Sequence, residues 1–213
     1  MTVRNRFTPM RVLPAVLVAL LVLSLSAAAG EKAAHKAKGA APAMDEQTRQ
    51  MMEMMEKMGA PGPEHAELMK LAGKWKTTNK SWMSPGDPVV TQGTVTYKPL
   101  LGGRFLMEEY KGTFMDKPFE GVGITGYDNM KKEYFNVWMD SLGTMVVVAR
   151  GNMDASGKVL TMNAEFEEPA TGEKTPMRMV TTTLDPNSKK FELYGTHDGQ
   201  EAKQMEINYT RAK

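Results

Sequence analysis

Carboxylates set in apolar strands are the side chains of this chain best placed for chemistry, because burial raises a carboxyl pKa and makes an acid or base of it. Glu108 and Glu109 are adjacent, so one of them points inward if both lie in a regular strand. Asp140 shares a face with Trp138 and Asn136, and Glu165 shares one with Asn163. Tyr194 likewise goes with Glu192, and Asn208 with Glu206. One reading puts these polar faces in solvent, with Phe135, Val137, Met162, Phe166, Leu193, Met205 and Ile207 filling the interior. Trp138 argues against that reading locally, since a large aromatic on an outer polar face needs cover. On the other reading the interior mixes aromatics with a few polar groups that orient a ligand. An inward Arg104 or Arg178 would then meet a carboxylate, from the protein or from a bound acid.

The other catalytic sets are poorly supplied. His35, His65 and His197 are the only histidines, no two have metal-ligand spacing, and a zinc site needs three or four convergent ligands. His197, near the end of a late strand, could serve as an axial haem ligand in a barrel, but its place beside Asp198-Gly199 favours a surface side chain. Ser81, Ser84, Ser141, Ser156 and Ser188 lie in or beside turn sequences, and none stands in a Gly-x-Ser-x-Gly context. The chain has no cysteine, which excludes disulfides, thiolate metal sites, Cys nucleophiles and lipid attachment. The expectation is therefore no catalytic residue, no metal and no cofactor.

Asp45 to Met58 reads DEQTRQMMEMMEKM. Met51, Met54, Met55 and Met58 fall at i, i+3, i+4 and i+7, one face of a helix. Asp45 and Glu46 suit its first turn, and Gly59 with Pro61 ends it. Two readings compete. Thioethers are soft ligands that suit Cu(I), and flexible methionines also fill irregular surfaces; the second predicts a helix docked on the main domain. Met52 lies off the main stripe.

The elements that would position these residues begin after a targeting segment. Arg4, Arg6 and Arg11 precede an apolar stretch from Leu13 to Leu25, and Ala27-Ala28-Ala29 supplies a cleavage site of the A-x-A type. About 13 apolar residues are short for a span, which needs about 20. The expectation is a signal peptide over 1–29, export to the periplasm or beyond, and no membrane span afterwards. Losing three Arg takes the 27 basic residues to 24 against 25 acidic, a balance that favours neither nucleic acid nor an anionic membrane surface. Residues 30–43 are small, polar and lysine-rich and read as a disordered tether. Residues 44–72 hold the Met-rich helix, the Pro61-Gly62-Pro63 linker and a short helix over 64–71, and residues 73–213 form one domain.

That domain alternates strands and turns with little between them. Strands are expected at 73–82, 89–98, 104–113, 119–127, 133–140, 143–150, 158–167, 175–184, 189–197 and 203–211. Asp128-Asn129-Met130-Lys131 joins two of them, since Asp and Asn side chains bond their own backbone. Gly121 and Gly123 sit inside a strand and are expected to mark a bulge or bend. Ten strands with hairpin connections predict an all-β antiparallel up-and-down barrel, because closure removes the edges an open sheet would expose. A two-sheet sandwich is the alternative.

Gly73-Lys74-Trp75 at the start of the first strand resembles the opening of calycin barrels (lipocalins and fatty-acid-binding proteins), where the Trp plugs one end. LAGKW, LLGGRFLMEEYKG, PFEGVGITGYDN, YFNVWMDSLGT and MEINYTR, with PGPEHAELMKLAG ahead of them, resemble the bacterial domain-of-unknown-function family numbered 1579 over roughly residues 61–211. The resemblance implies a calycin-like barrel and no established reaction. The functional expectation is a small, largely apolar ligand held in the interior. Trp82, Tyr97, Arg104, Glu109, Tyr127, Trp138 and Arg178 are the candidate lining residues. The alternative is a cell-envelope interaction module with a filled barrel, meeting a protein partner through the Met-rich helix. An enzyme working through Glu109 and Asp140 is a third reading.

Overall fold

The computed structural model describes residues 45–82, 86–167, 171–197 and 199–213. The signal peptide, the tether with His35, Ser84-Pro85, Pro169 and Asp198 lie outside the described residues, as does the side chain of His197. Helix α1 spans Glu46–Gly59 and α2 spans Pro63–Met69. Ten strands follow: β1 Gly73–Ser81, β2 Val89–Leu100, β3 Phe105–Phe114, β4 Lys117–Asp128, β5 Glu133–Asp140, β6 Val147–Met153, β7 Val159–Glu167, β8 Lys174–Asp185, β9 Ser188–His197 and β10 Gln200–Arg211. Each strand pairs antiparallel with its neighbours in sequence, and β1 pairs with β10, closing the barrel. The sandwich is thereby excluded.

Local chemistry explains the elements. The Asp45 side chain caps α1 by accepting from Thr48 N at 2.7 Å. The β4–β5 turn is held by Asp128 Oδ1, which accepts from Met130 N at 2.9 Å and Lys131 N at 3.0 Å. The sixth strand starts at Val147 rather than 143, because Ser141–Val146 carries Asp140-capped turn residues instead of alternation; Leu142 N donates to Asp140 Oδ1 at 3.0 Å. The β4 glycines make no bulge, since β4 keeps regular register with both β3 and β5. Register shifts occur instead between Lys203 and Met205 and between Thr183 and Asp185.

The register fixes which face looks inward. Trp75, Thr77 and Asn79 of β1 align with Arg211, Tyr209 and Ile207 of β10 and with Val95, Gly93 and Thr91 of β2. Carried around the wall, the same face holds Leu106, Glu108 and Tyr110, then Gly121, Gly123 and Thr125, then Tyr134, Asn136 and Trp138. One end is shut. Trp75 keeps 1% of its surface exposed, and its indole N–H donates to Leu71 O at 2.9 Å. The Arg211 guanidinium lies 4.3 Å from the Trp75 ring and donates to Ala72 O and Lys70 O. Helix α2 packs beside it with Leu68 and His65 buried, the imidazole meeting Tyr127 edge-on.

Helix α1 departs from the docked expectation. It buries no residue, and Met51, Met52, Met54, Met55 and Met58 are all exposed. Its attachment is at its C-terminal end, where Asn129 Nδ2 donates to Met58 O at 2.7 Å and Arg104 Nε donates to Gly59 O at 3.0 Å. Those carbonyls have no partner within a helix and need an outside donor; the stripe itself needs no contact to hold the helix there.

Candidate functional site

The interior divides at mid-height. Toward the shut end the inward side chains pack with almost no accessible surface: Tyr97, Leu106, Tyr134, Leu160, Met162 and Tyr209 join Trp75 and Val95 in one cluster. Nearer the open end, the inward Glu108, Thr125, Asn136, Trp138, Met179, Phe191, Leu193, Met205 and Ile207 are only half-buried. Trp138, Met179, Phe191 and Ile207 pack on the buried cluster from one side and keep accessible surface on the other, so the open half of the interior is less tightly filled than the shut half. At the mouth of the open half a recess of about 280 Å³ is lined by Ser81, Trp82, Phe114, Leu193, Gln204 and Met205.

Two glycine pairs shape the open half. A Cβ at Gly121 would lie 2.2 Å from Trp138 Cζ2, and one at Gly123 would lie 3.2 Å from Cε3. The indole therefore lies flat along the inner face of β4, where any side chain would displace it. Its N–H donates to Asp140 Oδ2 at 2.9 Å, fixing the ring in that plane. Gly93 and Gly112, opposite each other on β2 and β3, do the same for Tyr110. The Tyr110 hydroxyl, so placed, accepts from Asn79 Nδ2 at 2.6 Å. Asn136 Nδ2 donates to Thr125 Oγ1 at 3.0 Å across the same wall.

A polar cluster lies beneath. Lys189 is buried with its ammonium 4.2 Å from the Tyr209 ring centre and 4.5 Å from that of Tyr97, and it donates to the Tyr97 hydroxyl at 2.7 Å. Burial pushes the Lys189 amine down to about 8, partly opposed by the nearby Glu108 charge. Burial also pushes Glu108 up, with Lys189 and a hydrogen bond to Tyr97 pulling the other way. Desolvation, followed by the Glu108 charge, holds Tyr97 and Tyr209 well above the usual phenol range. Glu108 keeps some accessible surface, yet desolvation is the largest influence on its carboxyl. Two buried inward atoms, Thr77 Oγ1 and Asn79 Oδ1, have no hydrogen-bond partner among the described residues. Buried polar atoms are normally satisfied, and these two are exceptions inside the packed part of the wall, with Thr77 1% and Asn79 5% exposed.

The seven sequence candidates fall into three groups. Tyr97, Tyr127 and Trp138 point inward, although Tyr97 belongs to the packed floor and Tyr127 to the shut end. Trp82 stands at the mouth. Arg104, Glu109 and Arg178 point outward. Arg104 serves α1, and Glu109 pairs with Lys98 at 2.6 Å on the outer wall. Arg178 stacks on Tyr194 at 4.1 Å and makes a two-pronged bond to Glu201. It borders a lateral cleft of about 770 Å³, also lined by Val148, Arg150, Ala164 and Met177. That cleft opens because β6 pairs with β7 only from Arg150–Asn163 to Met153–Leu160, while β7 runs on to Glu167. The solvent reading of the polar faces fails on β5, where Asn136, Trp138 and Asp140 point inward and Phe135 and Val137 outward. Glu192 and Glu206 do face outward, in a network around Lys203 that pulls Glu206 down to about 2.

Glu108, Lys189, Tyr209, Thr77 and Asn79 were not among the candidates. A signal for two of them is present: Glu108 alternates with Leu106 and Tyr110, and Lys189 with Phe191 and Leu193, all inward. Among the described residues no set of three or more His, Cys, Asp or Glu side chains is placed to hold a metal ion.

Residues 60–211 match the family described as a protein of unknown function, DUF1579. The chain belongs to this family. Among solved structures it is similar to Rv2717c from M. tuberculosis, with 15% identity and a TM-score of 0.55, covering 72% of this chain and all of that one. It is also similar to the S-type phycobiliprotein lyase CPES from Guillardia theta, with 8% identity and a TM-score of 0.53, covering 74% and 97%. At such identities the likeness is one of fold. A search of the curated proteins found no match.

Proposed function

We propose that this DUF1579 protein is exported and binds a small apolar or amphipathic molecule in the open half of its barrel. The observation that carries the reading is the accessible inner wall around Trp138. Met179, Phe191, Leu193, Met205 and Ile207 supply apolar surface there, and its burial drives binding at about 25 cal/mol per Å² before the costs of association. Polar groups set the pose: Asn136 and Thr125 on one wall, held together by a 3.0 Å hydrogen bond, and Glu108 on the same inward face. Export rests on the Arg-flanked apolar stretch and the Ala27-Ala28-Ala29 site.

Native mass spectrometry of the protein purified gently from its own cell envelope tests the reading. The expected result is a non-covalent adduct of small-molecule mass that is lost when Thr125→Trp fills the lumen. A bare chain that also takes up no compound from an envelope lipid extract would contradict it.

A further inference from the structure

The methionine stripe of α1 has no role in the barrel. The four thioether side chains of the stripe are between 39% and 62% exposed, on a helix that buries nothing. Every large apolar residue of Glu46–Gly59 is Met, with no Leu, Ile, Val or Phe among the fourteen. Apolar cover alone does not demand that choice, because Leu has equal helix propensity and a larger transfer free energy. What Met has and Leu lacks is sulfur.

We infer that α1 is a Cu(I) site, with the thioethers of Met54, Met55 and Met58 as its ligands. Met58 follows Met54 by four residues and Met55 by three, and side chains at these spacings have Cβ atoms about 5–6 Å apart on one face of the helix. Three rotatable bonds let adjacent Met side chains bring their sulfurs to a common point. Soft thioethers select Cu(I) over the harder divalent ions that prefer imidazole and carboxylate. His65 does not compete for the role, since it is buried and its Nδ1 accepts from Gly62 N at 3.0 Å. The anchoring of α1 only at its C-terminal end leaves the strip open to an ion and to whatever delivers it.

A thioether carries no proton near neutral pH, so binding releases none. Affinity is therefore flat from pH 5 to pH 8, unlike that of any His or carboxylate site. The test is an anaerobic competition for Cu(I) between the full chain and bicinchoninate. The expected result is a single Cu(I) withdrawn per chain, equally at pH 5.5 and 7.5. Replacing all four methionines of the strip together, M51L/M54L/M55L/M58L, keeps helix and apolarity and is expected to lower affinity at least a hundredfold, with circular dichroism unchanged. In a sample labelled at the methionine methyl groups, Ag(I) as a redox-inert stand-in should shift the resonances of Met54, Met55 and Met58 and of no barrel methionine. No withdrawal of Cu(I), withdrawal that survives the fourfold leucine variant, or affinity that rises steeply with pH would overturn the inference.

Discussion

The two ends of the barrel interior use similar residues to opposite effect. At the shut end Trp75 is wedged by Arg211, with Leu68 of α2 in the same buried cluster and Lys189 below, and the indole keeps 1% of its surface exposed. At the open end Trp138 lies flat against two glycines and leaves the space in front of it clear. An aromatic plugs a barrel when it projects across the axis and lines it when the neighbouring strand lacks side chains. The difference lies in the neighbours of each Trp, not in the Trp itself.

Trp75→Ala attacks the plug, and the largest effect is expected there. Loss of a buried Trp costs about 3–5 kcal/mol and leaves Lys189 and Arg211 without their ring, while the wall around Trp138 stays in place. Urea unfolding measures the loss, and a change below 1 kcal/mol would mean the end is closed by something else.

The pH dependence probes the polar cluster beneath the lumen. Lys189 titrates at about 8 in the folded chain and at about 10.4 unfolded. Between these values the unfolded chain binds more protons, so stability rises with pH. Tyr97 and Tyr209, held up by burial, act in the opposite sense above about pH 10, so the rise is confined to pH 8–10. The gain is on the order of 2–3 kcal/mol, and Lys189→Met should flatten it. A wild-type curve that is flat over that window would place the amine in water.

How far this contrast was legible follows from what each signal reports. Strand alternation and turn chemistry name ten strands and a barrel because both are local properties of the chain. Facing is harder. Glu108 and Glu109 are adjacent and chemically equal, and only their register with Leu106 and Tyr110 shows which one is enclosed. Arg178 looks like an inward ligand group from its strand position, yet Tyr194 and Glu201, which hold it outside, come from other strands. The glycines of β4 read as a bend because the chain order hides that Trp138 lies over them. For α1 the helix and its stripe are plain in the sequence, whereas the lack of a docking surface is visible only in three dimensions.

Smaller effects sharpen the open end. Gly121→Ala pushes a methyl into the Trp138 ring and should cost about 1–3 kcal/mol, with a shift in Trp fluorescence and weaker ligand binding. If fluorescence is unchanged, the indole does not lie on β4. Arg178→Ala and Glu109→Ala remove exposed ion pairs and should each change stability by less than about 1 kcal/mol, leaving ligand binding untouched. A large loss of binding in either would move the site to the outer wall or the lateral cleft.

The most direct measurement is a titration of 1-anilinonaphthalene-8-sulfonate into the wild-type protein, excited at Trp so that energy transfer reports proximity to the lumen. An open lumen gives saturable transfer that Thr125→Trp abolishes and that Val122→Trp, pointing outward on the same strand, leaves intact. Equal binding in both variants, or none in the wild type, would contradict an open lumen.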